Sequence, residues 1–413
     1  MSLNLTPPSD RHNVAIIGGG RWARVVASIL CDISREPSKL VLCSPNRPDG
    51  WTEWIGALGA QMKGEHAVLE TAETVDDVLA NGSIGTVFVV RSAHDHAETA
   101  IAALAAGKDT FIEKPFAMTL LDAERVLLAA AKQRCSIGHV LLFAPNLRRF
   151  ADVVQGLGEP QTIEIQWSDP SGEERSGEAK RYDHSVNITD DVFPHIWSLV
   201  KIFVPGYSVE LIAVRLEHGG RTAAMRMTAG ATLIDAKIER DAQMRQRRIS
   251  IQTARGGAEI DFSIEPGTAY VLGQPVDIAA NYSSPLRREL ESFLQISPDS
   301  FASGLCNVSK AIEPVVLLEP FRERLDAQRI SAIWQGAGPN ASFVDLEAAL
   351  YALREKIADE SRRKPSLRRS RGLAHHDEIT DKVLRWCRDG DTTLAPPLDL
   401  GEFPWLAELK RIP

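Results

Sequence analysis

Residues 14–23, Val-Ala-Ile-Ile-Gly-Gly-Gly-Arg-Trp-Ala, decide the fold of the first half of the chain. The continuous apolar run VAII predicts a buried strand, and the GxGxxA pattern after it predicts a tight turn into a helix. Glycine lets the backbone approach a pyrophosphate closely, and the phosphate then lies on the positive helix N-terminus. The alternative is a turn with a structural role alone. We predict a dinucleotide-binding loop made by Gly18, Gly20, Arg21, Trp22 and Ala23.

Outward from this loop, short apolar runs alternate with helical patterns as far as residue 144. Such alternation is typical of βαβ units around a parallel sheet. We therefore predict an α/β Rossmann dinucleotide-binding domain over residues 13–144. The predicted strands are residues 14–17, 40–43, 86–90, 110–112 and 137–143. The predicted helices are residues 22–30, 97–106 and 119–132, the last with Thr119 as its N-cap.

After residue 150 the pattern changes to longer segments in which apolar and polar residues alternate. Alternation is typical of strands with one packed and one wet face, so residues 145–340 are predicted to form an α+β domain with a mostly antiparallel sheet. The segments are TIEIQWSD, VELIAVRLEH, AAMRMTA, TLIDAKIER, RRISIQTA and AEIDFSIEP. Helical patterns follow at residues 285–294 and 316–331, where Pro320 is expected to mark a first helical turn.

Residues 341–413 are predicted to be a helical C-terminal extension. Helical patterns cover residues 345–361 and 378–388, and six basic residues lie between Arg362 and Arg371. That basic run is expected to be a solvated linker, and the alternative is a site for an anionic partner.

Composition limits the class of protein. The 413 residues include 47 Lys and Arg against 55 Asp and Glu, a net charge of −8 that argues against a nucleic-acid binder. No apolar run approaches the roughly 18 residues that a membrane-spanning helix needs. Residues 1–13 lack the pattern of a secretion signal and are expected to be a disordered leader. Widely spaced cysteines predict no metal site and no disulfide framework, and they fit a reducing cytoplasm. They are Cys31, Cys43, Cys135, Cys306 and Cys387.

The end of the second strand bears on the choice of cofactor. NAD-specific folds usually place a carboxylate there for the ribose 2′-hydroxyl. This chain instead has Ser44, Asn46 and Arg47, which can bind a 2′-phosphate that a carboxylate would repel. NADP is therefore favoured, NAD remains open, and a solvated loop arginine is the alternative interpretation of Arg47.

Two further motifs carry reactive side chains. Glu113-Lys114-Pro115 follows a predicted strand, whose carboxyl end faces the cofactor crevice in such a sheet. In DDVFPHIW, Asp191 and His195 are spaced i,i+4 and so share a helix face. A carboxylate beside an imidazole suits a general acid/base near neutral pH. The alternatives are a surface lysine and a structural histidine.

Together these motifs resemble the glucose–fructose oxidoreductase/inositol dehydrogenase/MocA (Gfo/Idh/MocA) family over roughly residues 13–330. The most specific part is HDHAETAIAALAAGKDTFIEKPFAMTLLDAERV, and SIGHVLLFAP is similar to a GHxxxxNP segment, with Ala144 where the family has Asn. The resemblance implies that Lys114 is the catalytic lysine and that Asp191 and His195 are a DxxxH pair. It also implies cofactor contacts from Ser92, His96 and Glu113. Arg91-Ser92-Ala93 departs from the family's usual Pro-Asn pair.

The sequence thus predicts an NAD(P)-dependent oxidoreductase, in which NADP(H) lies at the carboxyl edge of the first sheet and a small-molecule substrate lies between it and the second sheet. Hydride would pass between nicotinamide and an alcohol or ketone carbon of a sugar-like or biosynthetic molecule. The alternatives are an imine reductase of a biosynthetic intermediate and a regulator that senses the cofactor without turnover. A homo-oligomer without nucleic-acid or membrane partners is expected.

Overall fold

The computed structural model describes residues 13–325, except 34–37, 46, 49, 62–66, 171–172, 176–177, 180–185, 218–220, 298 and 323–324. The described residues form two units. The first contains the described residues up to Arg148 together with Asn281–Val316, and the second contains Arg149–Ala280 and the described residues from Leu317 onward.

The first unit is built on a six-stranded parallel sheet. Its strands are β1 (Val14–Ile17), β2 (Ser38–Cys43), β3 (Ala67–Ala72), β4 (Thr86–Val89), β5 (Asp109–Ile112) and β6 (Cys135–Ile137). Their order is β3-β2-β1-β4-β5-β6, which is the Rossmann order with its switch point between β1 and β4. Every residue of β1 and β4 is buried, as expected for strands covered on both faces. The predicted fold class is confirmed for this half.

Helices lie between the strands of the first unit, as βαβ connections require. They are α1 (Arg21–Ile33), α2 (Trp51–Gln61), α3 (Val75–Ala80), α4 (His96–Ala105) and α5 (Leu120–Ala129), and the helix α6 (Pro145–Gln155) follows β6, the last strand of this sheet. Thr119 caps α5, because its side chain accepts a hydrogen bond from the Asp122 backbone N–H. This cap is at the position that the sequence predicted.

The predicted strand over residues 137–143 is wrong. The strand β6 ends at Ile137, and after Gly138 and His139 the residues Val140–Phe143 form a 3-10 helix. A short apolar run has no periodicity that separates a buried strand from a buried helical turn. The strand β3 and the helices α2 and α3 were not predicted.

The predicted boundary of the second domain also needs correction, because residues 281–316 return to the first unit. The helix α8 (Pro285–Phe293) buries Leu290 and Phe293 in the Rossmann core. The Phe293 ring lies 5.5 Å from Phe88 and 5.4 Å from Phe111, between ring centroids. A buried aromatic side chain contributes much of the packing energy at its site. The contacts of Phe293 therefore explain why α8 packs in the first unit.

The second unit contains an eight-stranded sheet in the order β10-β11-β12-β7-β13-β14-β15-β16. Only β7 and β12 pair in parallel, so the prediction of a mostly antiparallel sheet is confirmed. The strands are β7 (Pro160–Pro170), β10 (Val209–Glu217), β11 (Thr222–Ala229), β12 (Thr232–Ala242), β13 (Gln246–Thr253), β14 (Gly256–Asp261), β15 (Thr268–Val271) and β16 (Gln274–Val276). The strands β8 (Glu174–Arg175) and β9 (Glu178–Ala179) form a separate pair.

The remaining helices are α7 (Ile188–Phe203), α9 (Ser300–Cys306), α10 (Val308–Ala311) and α11 (Glu313–Leu318). Pro320 lies in the first turn of a 3-10 helix, Glu319–Phe321. The predicted extension over residues 341–413 lies outside the described residues. Within the described part of the chain, no helix is long and apolar enough to cross a membrane, and no group of three or more His, Cys, Asp and Glu side chains is placed to hold a metal ion.

Candidate functional site

Four neighbouring strands bring most of the predicted site residues of the first unit to one sheet edge. Ser44 follows β2, Gly18 follows β1, Arg91 follows β4 after Val90, and Lys114 follows β5 after Glu113. Because these parallel strands are adjacent, their carboxyl ends meet at the switch point where ligands bind in open α/β sheets.

The two glycines of the GxGxxA pattern have different surroundings. The fold requires glycine at position 18, whereas the space beside Gly20 is open. Gly18 has φ +152°, and a Cβ there would lie 1.9 Å from the Val90 carbonyl oxygen. A Cβ on Gly20 would meet no protein atom within 4 Å. Gly20 directly precedes the N-terminus of α1 at Arg21, which favours an anion. The loop therefore has the backbone and the free volume that a pyrophosphate needs.

The loop after β2 is built as a turn closed by the Arg47 N–H, which donates to the Ser44 carbonyl oxygen at 3.0 Å. Ser44 is buried against the glycine loop, because a Cβ on Gly19 would lie 2.4 Å from its Oγ. The Arg47 guanidinium lies 3.4 Å from the Glu73 carboxylate at the end of β3, and both side chains are exposed, by 57% and 83%. Asn46 lies outside the described residues.

Glu113 occupies a buried position behind this edge. It accepts hydrogen bonds from the Trp22 side chain and, at 3.3 Å, from the Lys114 backbone N–H. Burial raises the pKa of Glu113, while the Trp22 hydrogen bond and the Lys114 charge oppose that rise. Its carboxylate fills the space in which Gly138 has no side chain, since a Cβ there would lie 3.1 Å from Oε2. Glu113 thus connects the glycine loop helix to Lys114.

The residues after β4 are linked to one another and to the Lys114 loop. Arg91 pairs with Asp95 at 3.2 Å and donates to Thr99 Oγ1 at 3.1 Å. Ser92 is the N-cap residue of the 3-10 helix Ala93–Asp95. His96 is buried, and both of its ring nitrogens contact backbone carbonyl oxygens. The predicted cofactor contacts of Ser92 and His96 stay predictions.

Deeper in the first unit lies a group of buried ionisable side chains. Burial lowers the pKa of His139 to about 3, and the Lys114 charge adds to the effect. Burial and the charge of Glu113 raise the pKa of Glu289 well above its ordinary value. Burial and the charge of Glu289 also raise the pKa of the Cys306 thiol. The surroundings therefore favour a neutral imidazole, a protonated acid and a protonated thiol.

In the second unit, the helix α7 exposes one reactive pair. It has 16 residues, and all but Asp191 and His195 are buried. The two are one helical turn apart, so they share the single accessible stripe of an otherwise buried helix. This placement confirms that both residues lie on a helix and on one face.

Each member of this pair is fixed by neighbours on the sheet. The Asp191 carboxylate pairs with Arg240 on β12 at 3.1 Å. The His195 ring stacks on Trp167 of β7, with the ring centroids 5.1 Å apart and the planes 18° from parallel. The Arg247 guanidinium lies 3.6 Å from the Trp167 ring centroid and pairs with Asp169. The predicted orientation of His195 by Asp191 stays a prediction.

Sequence reasoning missed several residues of both regions: Glu73, Trp167, Arg240 and Glu289. Glu289 lies between Leu286, Leu290 and Phe293 on the apolar stripe of α8, and this spacing could have revealed a buried acid. Glu73 follows an edge strand that was not predicted. Arg240 and Trp167 are remote in sequence from α7, so no local pattern identifies them.

Comparison with known proteins agrees with this geometry. Residues 12–139 match the family model described as an oxidoreductase family with an NAD-binding Rossmann fold, GFO_IDH_MocA. A 1,5-anhydro-D-fructose reductase from Ensifer adhaerens is 31% identical over 98 residues, which are 23% of this chain and 29% of that protein. The match therefore spans less than a third of that relative.

Two solved structures share the fold of both units. A UDP-N-acetylglucosamine 3-dehydrogenase from Acidithiobacillus ferrooxidans superposes with TM-score 0.59 at 21% identity, over 77% of this chain and 98% of that one. A 3-ketoreductase from Actinomadura kijaniata, in complex with TDP-benzene and NADP, gives TM-score 0.57 at 17% identity, over 75% and 96%. The Rossmann-fold part of the chain, residues 12–139, is thus similar to the Gfo/Idh/MocA oxidoreductase family.

Proposed function

We propose that the protein is an NAD(P)-dependent oxidoreductase that interconverts an alcohol and a ketone on a sugar-like small molecule. The observation that carries this proposal is the accessible Asp191–His195 stripe on the otherwise buried helix α7. A buried helix that exposes only a carboxylate and an imidazole has the groups that acid/base chemistry needs. The named relatives act on sugars or nucleotide sugars, which supports this substrate class.

The residues of the first unit fit a dinucleotide. The loop Gly18–Gly20 and the N-terminus of α1 would hold the pyrophosphate, and Ser44 and Arg47 would bind the adenosine ribose and its 2′-phosphate. We propose NADP as the favoured cofactor, because no carboxylate stands among residues 43–47, where the second strand ends. The nicotinamide, when bound, accepts or supplies the hydride.

The protein side chains move the proton and stabilise charge. In the direction of oxidation, His195 takes the proton from the substrate hydroxyl as the carbon loses its hydride. In the direction of reduction, it returns that proton to the carbonyl oxygen. Lys114 stabilises the negative charge that develops on this oxygen. Asp191, held by Arg240, positions the imidazole and stabilises its protonated form.

The first prediction tests the proposed pyrophosphate site. Gly20→Ala should keep the melting temperature of the parent, because its Cβ meets no protein atom within 4 Å. It should weaken dinucleotide binding, because the methyl group fills the space proposed for phosphate. Overpacking typically costs about 1–3 kcal/mol, or about 5- to 150-fold in Kd. Fluorescence titration with NADPH measures the loss.

Gly18→Ala is the matched comparison. Its Cβ would collide with the Val90 carbonyl at 1.9 Å, so this variant should lose thermal stability in the absence of ligand. Parent-like dinucleotide affinity in a folded Gly20→Ala variant would contradict the proposed site.

The second prediction concerns cofactor choice. The parent should bind NADPH more tightly than NADH. Arg47→Ala should reduce the difference between the two binding free energies by about 1.5–3 kcal/mol, the range for a hydrogen bond to a charged group. Glu73→Gln should widen this difference in binding free energy, because Arg47 is then released from its pair with the Glu73 carboxylate, which also no longer repels a 2′-phosphate. Isothermal titration with both dinucleotides measures each difference. Equal affinities of the parent for NADPH and NADH would rule out the NADP preference.

Turnover with a panel of free sugars, nucleotide sugars and cyclitols tests the activity. Absorbance at the nicotinamide band should change with at least one substrate in the presence of NADP(H). Dinucleotide binding without turnover on any of them would favour a regulator instead.

A further inference from the structure

His96 joins two loops at the carboxyl edge of the parallel sheet. It is the first residue of α4 and is only 2% exposed. Its Nδ1 lies 2.8 Å from the Pro115 carbonyl oxygen, and its Nε2 lies 2.8 Å from the Arg91 carbonyl oxygen. Pro115 directly follows Lys114, whereas Arg91 belongs to the loop after β4. One ring therefore bridges the segment that carries Lys114 and the neighbouring strand end.

The chemistry of these two contacts determines the protonation state of the ring. A backbone carbonyl oxygen only accepts hydrogen bonds, and a neutral imidazole has one donor and one acceptor nitrogen. Both contacts are hydrogen bonds only when both ring nitrogens carry a proton. In the neutral ring, one lone pair would face a carbonyl oxygen at 2.8 Å. The geometry fits the imidazolium form.

Charges on the surrounding elements act in both directions. The positive N-terminus of α4 disfavours a cation. Burial also disfavours the charged ring, whereas each of the two hydrogen bonds is stronger when its donor is charged. The ionisable residues on the elements that His96 joins are Arg91, His94, Asp95, Glu98, Glu113 and Lys114. Arg91 and Asp95 pair with each other at 3.2 Å and so largely offset one another.

We propose that His96 is a doubly protonated positioning residue that ties the Lys114–Pro115 segment to the loop after β4 and thereby fixes the position of Lys114. The proposal rests on the proposed function for the role of Lys114 in turnover. Its structural part, two N–H donors on one buried ring, stands independently of any activity. A misplacement of about 1 Å can cost about 10²-fold in rate, so such a bridge has a measurable effect on turnover.

The first experiment uses the parent protein and needs no substrate. Nitrogen-15 correlation spectra of histidine-labelled protein at pH 7.5 should show one ring with two slowly exchanging N–H protons. Nuclear Overhauser contacts to the Pro115 and Arg91 segments would assign that ring to His96. A His96 ring with a single N–H at this pH would overturn the proposal, whatever the enzyme assays show.

The second experiment separates positioning from binding. His96→Gln keeps a polar side chain but cannot donate to both carbonyl oxygens, so kcat should fall by about 10²-fold. The Kd for NADPH should stay within about threefold of the parent, because both ring nitrogens already contact backbone carbonyl oxygens rather than facing the cofactor site. His94→Gln, two residues earlier, is the control and should keep the parent kcat.

Three outcomes have distinct meanings. A matching loss of NADPH affinity would make His96 a cofactor ligand and overturn the positioning role. A lower melting temperature of His96→Gln with unchanged kcat and KM would show that His96 has a structural role alone. If the parent protein showed no turnover while the His96 ring carried both N–H protons, the proposed function would fail and the bridge would stand.

Discussion

Lys114→Ala is expected to lower kcat by about 10²–10³-fold, the range for loss of one donor that stabilises a developing oxyanion. The Kd for NADPH should change little, because the glycine loop and the N-terminus of α1 are proposed to hold the pyrophosphate. Lys114 follows β5 after Glu113 and is partly buried, so the strand end fixes its place at the sheet edge. Steady-state kinetics and dinucleotide titration on the same preparation measure the two effects.

A second lysine in the same motif provides the control. Lys108, six residues earlier, is buried and donates to the carbonyl oxygens of Asn81 at 2.8 Å and Ile84 at 2.9 Å. Lys108→Met keeps the apolar stem but removes these hydrogen bonds, so it should lower the melting temperature and leave kcat unchanged. Lys114→Ala should therefore lower kcat, whereas Lys108→Met should lower the melting temperature. A Lys114→Ala variant with parent kcat on a confirmed substrate would show that Lys114 is not catalytic.

The pair on α7 extends the same comparison. His195→Ala should reduce kcat by about 10²–10⁴-fold, the range for acid/base catalysis. Asp191→Asn should cost less and shift the pH profile of kcat, because the imidazole remains while the charge beside it is lost. Trp167→Leu removes the ring that stacks on His195 without removing a proton-transfer group. Its effect should lie between those of Asp191→Asn and His195→Ala.

The predictable part of this molecule is the part with local periodicity. VAII with its glycines, the capped helix after Thr119 and the alternating strands of the second half each carry their structure within about ten residues. The helix DDVFPHIW likewise showed that Asp191 and His195 share a face. That every other residue of α7 is buried depends on packing, and no window of sequence reveals it.

The missed features depend on contacts between distant segments. Phe293 packs on Phe88 and Phe111, so α8 belongs to the first unit although some 170 residues or more separate it from those strands. Glu73 comes beside Arg47 only because β3 pairs with β2 at the sheet edge. His139 interrupts an apolar run that has the composition of a strand. Long-range pairing decides each of these outcomes.

The buried side chains of His139 and Glu289 should give the free energy of unfolding a maximum at mildly acidic pH. The free energy should fall at more acidic pH because of His139 and at more alkaline pH because of Glu289. The pKa of His139 is lowered to about 3, so its contribution to stability is present above the ordinary value of 6.5 and is lost as pH falls toward 3. The pKa of Glu289 is raised, so its contribution is present below 4.5 and is lost as pH rises toward the folded-state value. Each proton contributes a slope of up to about 1.4 kcal/mol per pH unit.

Two glutamine variants separate the acid limb and the alkaline limb of this pH dependence. The free energy of unfolding is measured from urea unfolding curves recorded from pH 4 to pH 9. His139→Gln retains an N–H donor for the Ala311 carbonyl and does not titrate, so it should flatten the acid limb. Glu289→Gln should flatten the alkaline limb and exceed the stability of the parent at pH 8. Glu291→Gln on the same helix breaks a pair with Arg287 at 2.9 Å and should lose at most about 1 kcal/mol near neutral pH. A Glu289→Gln variant less stable than the parent at pH 8 would mean that Glu289 is ionised in the folded protein and stabilised by a cation, against the direction argued from its burial.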